Sequence, residues 1–183
     1  SDDNTGGDDT TAQAVSDAEC GGKTNLNASG ASSQNNAMTI FANSYAMSCD
    51  GATLDYNSNG SGAGVKEFIG GQTDFGGSDS PLKEDEYPQA EERCESPAWN
   101  LPAVFGPIAV AYNLDGVEVA LSGETLAAIF KGDITKWNDP AIAAENEGAE
   151  LPDQDITVVF RSDESGTTDN FQKYLSAAGG DAW

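Results

Sequence analysis

Residues 158–168 read Val-Val-Phe-Arg-Ser-Asp-Glu-Ser-Gly-Thr-Thr, and this stretch decides the predicted fold. Its β-branched start is typical of a strand, and the arginine and acidic residues after it are typical of a loop. Beyond it, Phe171, Tyr174, Leu175 and Ala178 recur at helical spacing. The order predicts a strand, a cationic turn and a helix N-terminus. Free N–H groups, hydroxyls and a guanidinium would converge there, which suits a tetrahedral oxyanion.

The rest of the chain repeats the alternation of strand and helix. The patterns predict strands at 24–29, 54–56, 73–76, 104–112 and 156–160. They predict helices at 38–45, 65–69, 126–130, 141–144 and 171–178, with residues 83–97 as an acidic loop. Ser33 is expected to cap the first helix, and Pro140 to stand in the first turn of the fourth. This alternation predicts an α/β fold.

Small polar residues follow several of the predicted strands. They are Ser32-Ser33, Gly60-Ser61-Gly62, Ser78-Asp79 and Ser165-Gly166-Thr167. Each group alone could be an ordinary helix cap, since serine and glycine are common there. Ligands in open α/β sheets bind at the carboxyl ends of strands, where helices begin. Four such groups, together with Arg161 in a chain of only two arginines, favour a shared anion site.

Charge and composition exclude several functions. The chain has 183 residues, with 31 acidic and 8 basic side chains, no histidine and a net charge of −23. Nucleic acid and anionic membrane surfaces are therefore unfavourable partners. The lack of histidine removes the usual general base and the commonest zinc ligand. No metal or cofactor is expected.

The N-terminal region and the cysteines give further expectations. Residues 1–22 are rich in Asp, Thr, Gly and Ala and are predicted to be a disordered acidic leader. No apolar run reaches the roughly 20 residues needed to span a bilayer. Cys20, Cys49 and Cys94 fit no metal motif, and an exported protein would hold one disulfide plus an orphan, or a partner outside this chain. Three unpaired thiols are the alternative.

At this point the chain resembles the phosphate-binding proteins of bacterial phosphate ABC transporters, most closely their actinobacterial lipoprotein branch. The resemblance extends over about 26–183 and rests on ordered, correctly spaced motifs. These are residues 28–32 (Ala-Ser-Gly-Ala-Ser), 60–65 (Gly-Ser-Gly-Ala-Gly-Val), 73–79 (Thr-Asp-Phe-Gly-Gly-Ser-Asp), 134–142 (Ile-Thr-Lys-Trp-Asn-Asp-Pro-Ala-Ile) and 161–167 (Arg-Ser-Asp-Glu-Ser-Gly-Thr).

The resemblance implies a set of residues that contact the ligand. They are Ser32, Ser33, Ser61, Asp79, Arg161, Ser165, Gly166 and Thr167. Asp163 would be the ion-pair partner that orients Arg161. The family often has Thr-Phe where this chain has Ser32-Ser33, so the hydroxyl is kept and an aromatic ring is lost.

Asp79 has a chemical role that is intelligible without the family. The other candidate groups are hydrogen-bond donors, whereas an ionised carboxylate only accepts. It can accept from a protonated phosphate and would repel fully ionised sulfate. Buried sites that require a ligand hydroxyl reject analogues lacking it by roughly 10⁴–10⁵.

The resemblance also implies architecture and location. It implies a two-lobed, periplasmic-binding-protein type II fold that closes on phosphate, of which this chain is the N-terminal part, since family members are nearly twice as long. Residues 23–98 would begin lobe one and residues 99–183 lobe two. The protein would be an extracytoplasmic monomer, tethered by a lipid on a cysteine before Ser1, and would serve the permease subunits of an ABC transporter.

Other functions remain open at the level of sequence. The site could bind another oxyanion, such as arsenate, sulfate or molybdate, and arsenate shares the protonation of phosphate. A phosphatase or serine hydrolase using Ser61 or Ser165 is disfavoured, because the chain lacks histidine and a Gly-x-Ser-x-Gly elbow. A structural or adhesive surface protein is a further alternative.

Overall fold

A computed structural model describes residues 20–183, so most of the predicted leader lies outside the described residues. The elements alternate along the first half and are helical in the second. They are β1 (Asn25–Gly30), α1 (Asn35–Ser48), β2 (Thr53–Asn57), α2 (Ser61–Ile69), β3 (Phe75–Gly77), α3 (Tyr87–Cys94), α4 (Gly123–Lys131), α5 (Pro140–Glu145) and α6 (Gly166–Ala178). Short 3-10 turns stand at Ser32–Gln34 and Gly180–Ala182.

The three strands form one parallel sheet in the order β2-β1-β3. Ala28 in the central strand lies opposite Tyr56 on one side and Phe75 on the other. Each strand is followed by a helix or a loop that leaves from the same edge, because the strands are parallel. The predicted α/β class is confirmed, and the carboxyl ends of all three strands lie together.

Helix α2 lies unusually close to the central strand. A Cβ atom at Gly64 would stand 2.5 Å from the Gly30 Cα and 2.6 Å from the Ser29 carbonyl oxygen. Only glycine allows this approach, which brings the start of α2 beside the end of β1. The glycine run after Ser61 therefore positions a helix N-terminus at the strand ends.

The second half has its own apolar core in two clusters. One contains Ile129, Ile134, Trp137 and Ile142, and the other contains Leu126, Ala127 and Leu175. Phe130 of α4 and Phe171 of α6 meet edge to face, with ring centroids 4.9 Å apart. This packing fixes α6 against α4 and so fixes the direction in which the N-terminus of α6 points.

Two predicted strands are wrong. Residues 104–112 are extended and exposed, with Phe105 at 89% accessibility, and the 156–160 segment forms no strand. The only pairing near the latter among residues 20–183 is one antiparallel bridge between Lys136 and Asp155. Val158 packs on the core, whereas Val159 and Phe160 are both exposed. A strand needs a neighbour to receive its backbone hydrogen bonds, and no described segment pairs with residues 104–112. From residues 156–160, the Ile156 N–H donates to the Thr135 carbonyl at 2.8 Å, and this one bond does not make a strand.

The acidic segment 83–97 contains a helix that the sequence pattern missed. Helix α3 buries Ala90 completely and places Arg93 one turn later on the same face. The Arg93 guanidinium donates to the carbonyls of Phe68 and Thr73 at 3.0 and 2.8 Å and lies over the Phe68 ring. Only one buried apolar residue and one arginine hold this helix against its neighbours. One apolar residue does not produce the repeated hydrophobic spacing by which a helix is recognised in a sequence.

The predicted N-cap role of Ser33 is also wrong. Helix α1 begins at Asn35 after Gln34, and Ser33 lies in the preceding 3-10 turn. Its hydroxyl donates to Asp79 instead of capping the helix. The side chain that looked like a local cap is therefore used in a long-range contact.

One disulfide closes the N-terminal part of the described chain. Cys20 pairs with Cys49, and Cys94 is a free thiol, which confirms one pair plus an orphan. The linked residues are 29 positions apart, and the chain-entropy relation for such a loop predicts a stabilisation of about 3–4 kcal/mol. We expect Cys49→Ser to lower the free energy of unfolding by about that amount in urea denaturation. Cys94→Ser is the control, and equal loss in both variants would contradict the assignment.

Candidate functional site

Asp79, just beyond β3, is the centre of a hydrogen-bonded cluster. Its carboxylate accepts from the Ser33 hydroxyl at 2.6 Å and from the Thr167 hydroxyl at 2.8 Å. Its backbone N–H donates to the Ser61 hydroxyl oxygen at 3.2 Å. Ser33, Ser61 and Thr167 therefore all bond to Asp79, as the sequence predicted for residues of one site. Thr167 does so from 88 positions away along the chain.

The parallel sheet explains why these residues meet. Ser33 follows β1, Ser61 follows β2 and Asp79 follows β3, so all three leave from the same edge. The first turn of α6 arrives at this edge from the second half. It is fixed there by the Gly62 N–H, which donates to the Glu164 carbonyl at 3.0 Å. The N-termini of α2 and α6 therefore stand side by side.

Gly166 is a point of close approach between the two halves. A Cβ atom there would lie 2.5 Å from the Ser61 hydroxyl oxygen and 2.9 Å from the Asp79 Cβ. Such a Cβ would clash with residues of two different segments, so both segments would have to move to remove the clash. Glycine at this position is required for close approach, because any larger residue would separate α6 from Ser61 and Asp79.

Arg161 lies at the exposed rim of the cluster and is held by Asp163. Its Nε and Nη2 donate to the two carboxylate oxygens of Asp163 at 2.6 and 2.5 Å. This bidentate bond raises the pKa of Arg161, with a smaller contribution from the charge of Asp79, and it lowers the pKa of Asp163. Both groups are therefore ionised near neutrality. A Cβ at Gly60 would lie 3.6 Å from the Arg161 Nη2, which places the guanidinium beside the start of α2.

The first turn of α6 offers backbone donors. Ser165 is buried, and its hydroxyl oxygen accepts from the Thr168 N–H at 3.2 Å as the helix cap. The hydroxyl hydrogen of Ser165 remains available to donate, as does that of Ser61. The first N–H groups of a helix have no intrahelical acceptor and carry partial positive charge. Gly166 and Thr167 thus supply N–H donors next to Asp79.

Ser32 takes no part in the hydrogen bonds of the Asp79 cluster, and the side chains of Arg161 and Ser165 bond to Asp163 and to the Thr168 N–H instead of joining it. Ser32 begins the 3-10 turn and is exposed, and none of the cluster's hydrogen bonds involves its side chain. Its nearness to the site comes from its neighbour Ser33. The turn itself is held by the Ala31 N–H, which donates to the Gly77 carbonyl at 2.9 Å.

Two half-buried residues near Asp79 were not marked by the sequence patterns. The Tyr56 hydroxyl donates to the Ala31 carbonyl at 2.8 Å, below the turn that carries Ser33. The Asn170 amide donates to the Asp79 carbonyl at 2.8 Å and to the Gly166 carbonyl at 2.9 Å. Asn170 stands one turn after Gly166 on α6. This four-residue spacing from a predicted site residue is the only feature of the sequence that could have indicated Asn170.

Burial, and secondarily the charge of Asp79, raise the pKa of Tyr56 to about 12 from a reference value of 10.0. A raised pKa in the folded state means that the folded protein keeps the proton longer. The stability linked to this group is therefore complete below pH 10 and is lost between pH 10 and 12. We expect ultraviolet titration of the folded protein to show a phenolate phase near pH 12 that Tyr56→Phe removes. Loss of a phase near pH 10 instead would contradict the assignment.

Neither a membrane-crossing helix nor a cluster of metal-ligating side chains occurs in the described part of the chain. No helix within residues 20–183 has the length and apolar character needed to cross a bilayer. The same residues contain no cluster of His, Cys, Asp and Glu side chains that could hold a metal ion. The site is therefore built from neutral donors, one guanidinium and two carboxylates.

A family model described as a PBP superfamily domain matches residues 8–182, and the chain belongs to this superfamily. The chain is 61% identical over 184 residues to the phosphate-binding protein PstS 3 of Mycobacterium tuberculosis, covering 100% of this chain and 50% of that protein. It is 46% identical over 129 residues to the phosphate-binding protein PstS of Pasteurella multocida, covering 69% and 36%.

A solved structure agrees with the curated relatives. The crystal structure of an ABC-type phosphate transport receptor from Vibrio cholerae matches with a TM-score of 0.58 and 26% identity, covering 83% of this chain and 55% of that one. The chain therefore spans about half the length of the relatives it matches. The resemblance to phosphate-binding proteins that the motifs indicated is confirmed.

Proposed function

We propose that this chain carries the phosphate-binding residues of an extracytoplasmic binding protein that delivers inorganic phosphate to an ABC transporter. The observation that carries the proposal is the Asp79 carboxylate, which accepts from hydroxyls of two other segments, while its backbone N–H donates to the Ser61 hydroxyl of a third. The names of the relatives, which are phosphate-binding proteins and a phosphate transport receptor, support the same ligand.

The proposed binding mode is an exchange of hydrogen-bond partners at Asp79. The hydroxyls of Ser33 and Thr167, which donate to Asp79 in this structure, would turn to donate to phosphate oxygens. The Asp79 carboxylate would then accept the proton of the phosphate hydroxyl. Further donors would be the hydroxyls of Ser61 and Ser165, the N–H groups at the start of α6 and the Arg161 guanidinium. Ser32 would contribute through the turn that it shares with Ser33.

Charge alone would not stabilise an anion in this site. The guanidinium of Arg161 faces the carboxylates of Asp163 and Asp79, so the three charged groups sum to −1 before the ligand arrives. The chain as a whole is strongly acidic. Screening limits long-range repulsion to about 8 Å at physiological salt. Oriented neutral donors at short range would therefore provide the binding free energy.

The site combines residues from both predicted lobes. Ser33, Ser61 and Asp79 belong to residues 23–98, and Arg161 and Thr167 belong to residues 99–183. Contacts such as Thr167 to Asp79 and Gly62 to Glu164 join the two segments at the site. We propose that these segments belong to separate lobes and that ligand binding holds them together.

The proposed role is binding without catalysis. The hydroxyl oxygens of Ser61 and Ser165 each accept from a backbone N–H, and the chain has no histidine to activate them as nucleophiles. In this proposal the protein works as an extracytoplasmic monomer, lipid-tethered to the membrane beside the permease subunits. Turnover of a chromogenic phosphate ester that Ser165→Ala abolishes would contradict binding alone.

Calorimetric titration of the protein in its full natural length tests the proposed ligand. Phosphate should bind, and sulfate should bind at least about 10⁴-fold more weakly because it brings no proton to Asp79. Arsenate has the same protonation as phosphate and should bind measurably. Binding of sulfate as tight as that of phosphate, or no binding of either, would overturn the proposal.

A further inference from the structure

Asp79 is fixed through its peptide group as well as through its carboxylate. Its N–H donates to the Ser61 hydroxyl at 3.2 Å, and its carbonyl accepts from the Asn170 amide at 2.8 Å. The two bonds hold the backbone groups on either side of the Asp79 Cα. They fix the backbone from which the carboxylate projects, and therefore the direction in which it can accept a proton.

Asn170 uses both hydrogens of its amide. One goes to the Asp79 carbonyl and the other, at 2.9 Å, to the Gly166 carbonyl four residues earlier on α6. An amide group has two donors in a fixed plane, so the two acceptors are held at a defined separation. Asn170 thus joins the loop after β3 to the helix turn that carries Thr167, across 91 positions of sequence.

We propose that Asn170 is a positioning residue whose amide holds the Asp79 peptide against the first turn of α6 and thereby sets the selectivity for phosphate over sulfate. The inference rests on the proposed function and adds a residue to it. Asn170 acts on the carboxylate through the peptide of Asp79 and through the Gly166 carbonyl. Its removal should change how well the site distinguishes anions rather than only how stable the fold is.

A second asparagine provides a matched control. Asn146 makes the same pair of bonds, from its amide to the Ile142 carbonyl four residues earlier and to the Ala120 carbonyl of another segment, both at 2.8 Å. It lies in the second half and makes no hydrogen bond to the Asp79 cluster. Asn146→Ala therefore removes an equivalent pair of donated hydrogen bonds, and a third bond that the Asn146 Oδ1 accepts from the Ala120 N–H, without touching the proposed site.

The test measures phosphate and sulfate affinities by calorimetry and the midpoint of thermal unfolding for the full natural protein. The variants are Asn170→Ala, Asn170→Asp and Asn146→Ala. Loss of one anchoring bond predicts a phosphate-to-sulfate affinity ratio about tenfold lower in Asn170→Ala. Asn170→Asp should lower it further, since a carboxylate there would face two carbonyls. Asn146→Ala should lower the midpoint by a similar amount and leave the ratio unchanged.

The outcomes separate this inference from the proposed function. If the wild-type protein binds no phosphate, the proposed function fails. If it prefers phosphate but both folded Asn170 variants keep the wild-type ratio, only the positioning role of Asn170 is overturned. Loss of cooperative unfolding in both variants, with Asn146→Ala folded, would make Asn170 a folding residue and would also overturn it.

Discussion

Replacing Asp79 with asparagine should leave a site that binds phosphate more weakly and no longer rejects sulfate. The amide would keep the shape of the side chain but would present an NH₂ group that can donate to a fully ionised oxyanion. The hydroxyls of Ser33 and Thr167 would lose the carboxylate that now accepts their hydrogen bonds. The change therefore removes the acceptor for the phosphate proton and the repulsion of sulfate together.

The expected change in the phosphate-to-sulfate affinity ratio follows from the factor by which sites that require a ligand hydroxyl reject anions lacking one. We expect the phosphate-to-sulfate affinity ratio to fall by about 10³–10⁴, somewhat below the upper range because Asp79 is only half-buried. Calorimetric titration with both anions measures it. Asp115→Asn, at an exposed aspartate outside the cluster, makes the same charge change and should leave the ratio unaltered. An unchanged ratio in Asp79→Asn would refute the proposed selectivity filter.

Gly166→Ala should separate the two halves of the site. The added methyl would lie 2.5 Å from the Ser61 hydroxyl oxygen and 2.9 Å from the Asp79 Cβ, so α6 must withdraw from both. Misplacement of about 1 Å in a positioned site can cost about 10²-fold, and we expect about that loss of phosphate affinity. Overpacking should also lower the free energy of unfolding by about 1–3 kcal/mol and the thermal midpoint by several degrees.

Two other glycines separate the local effect from general strain. Gly123 begins α4 as Gly166 begins α6, and its Cβ would lie 2.5 Å from the Ala178 Cβ. Gly123→Ala should therefore lower the thermal midpoint and spare ligand affinity. A methyl group added at Gly106 would meet no atom of another segment within 4 Å, so Gly106→Ala should change neither quantity. Equal affinity losses in Gly123→Ala and Gly166→Ala would show that the defect is not local.

The parts of the fold that could be predicted are those encoded within a few residues. Glycine and hydroxyl residues after short predicted strands indicated the ends of β1, β2 and β3, and helical spacing from Phe171 to Ala178 indicated α6. Ser33, Ser61 and Asp79 do meet, because parallel strands bring such ends to one edge, and Thr167 reaches them from the first turn of α6. Their role as ligand contacts stays a prediction.

The parts that could not be predicted depend on contacts between distant segments. The run at 104–112 has the composition of a strand, but pairing is a property of two segments, and no described segment pairs with it. Tyr56 acts through one hydrogen bond to a backbone carbonyl and Asn170 through two, and such bonds leave no period or motif in the sequence. Ser33 was predicted from its local sequence to cap a helix. Its hydroxyl instead donates to the carboxylate of Asp79, which is distant in sequence.

The disulfide has a mechanical consequence for the proposed tethered protein. Cys20 is covalently joined to Cys49, which directly follows the C-terminal end of α1, while the turn that carries Ser33 precedes the opposite end. Tension arriving from the residues before Cys20 would pass through the sulfur bridge into that distal end of the helix. Part of the load would thereby bypass strand β1 and the turn that carries Ser33, which favours an unchanged geometry of the proposed site while the protein is pulled by its proposed anchor.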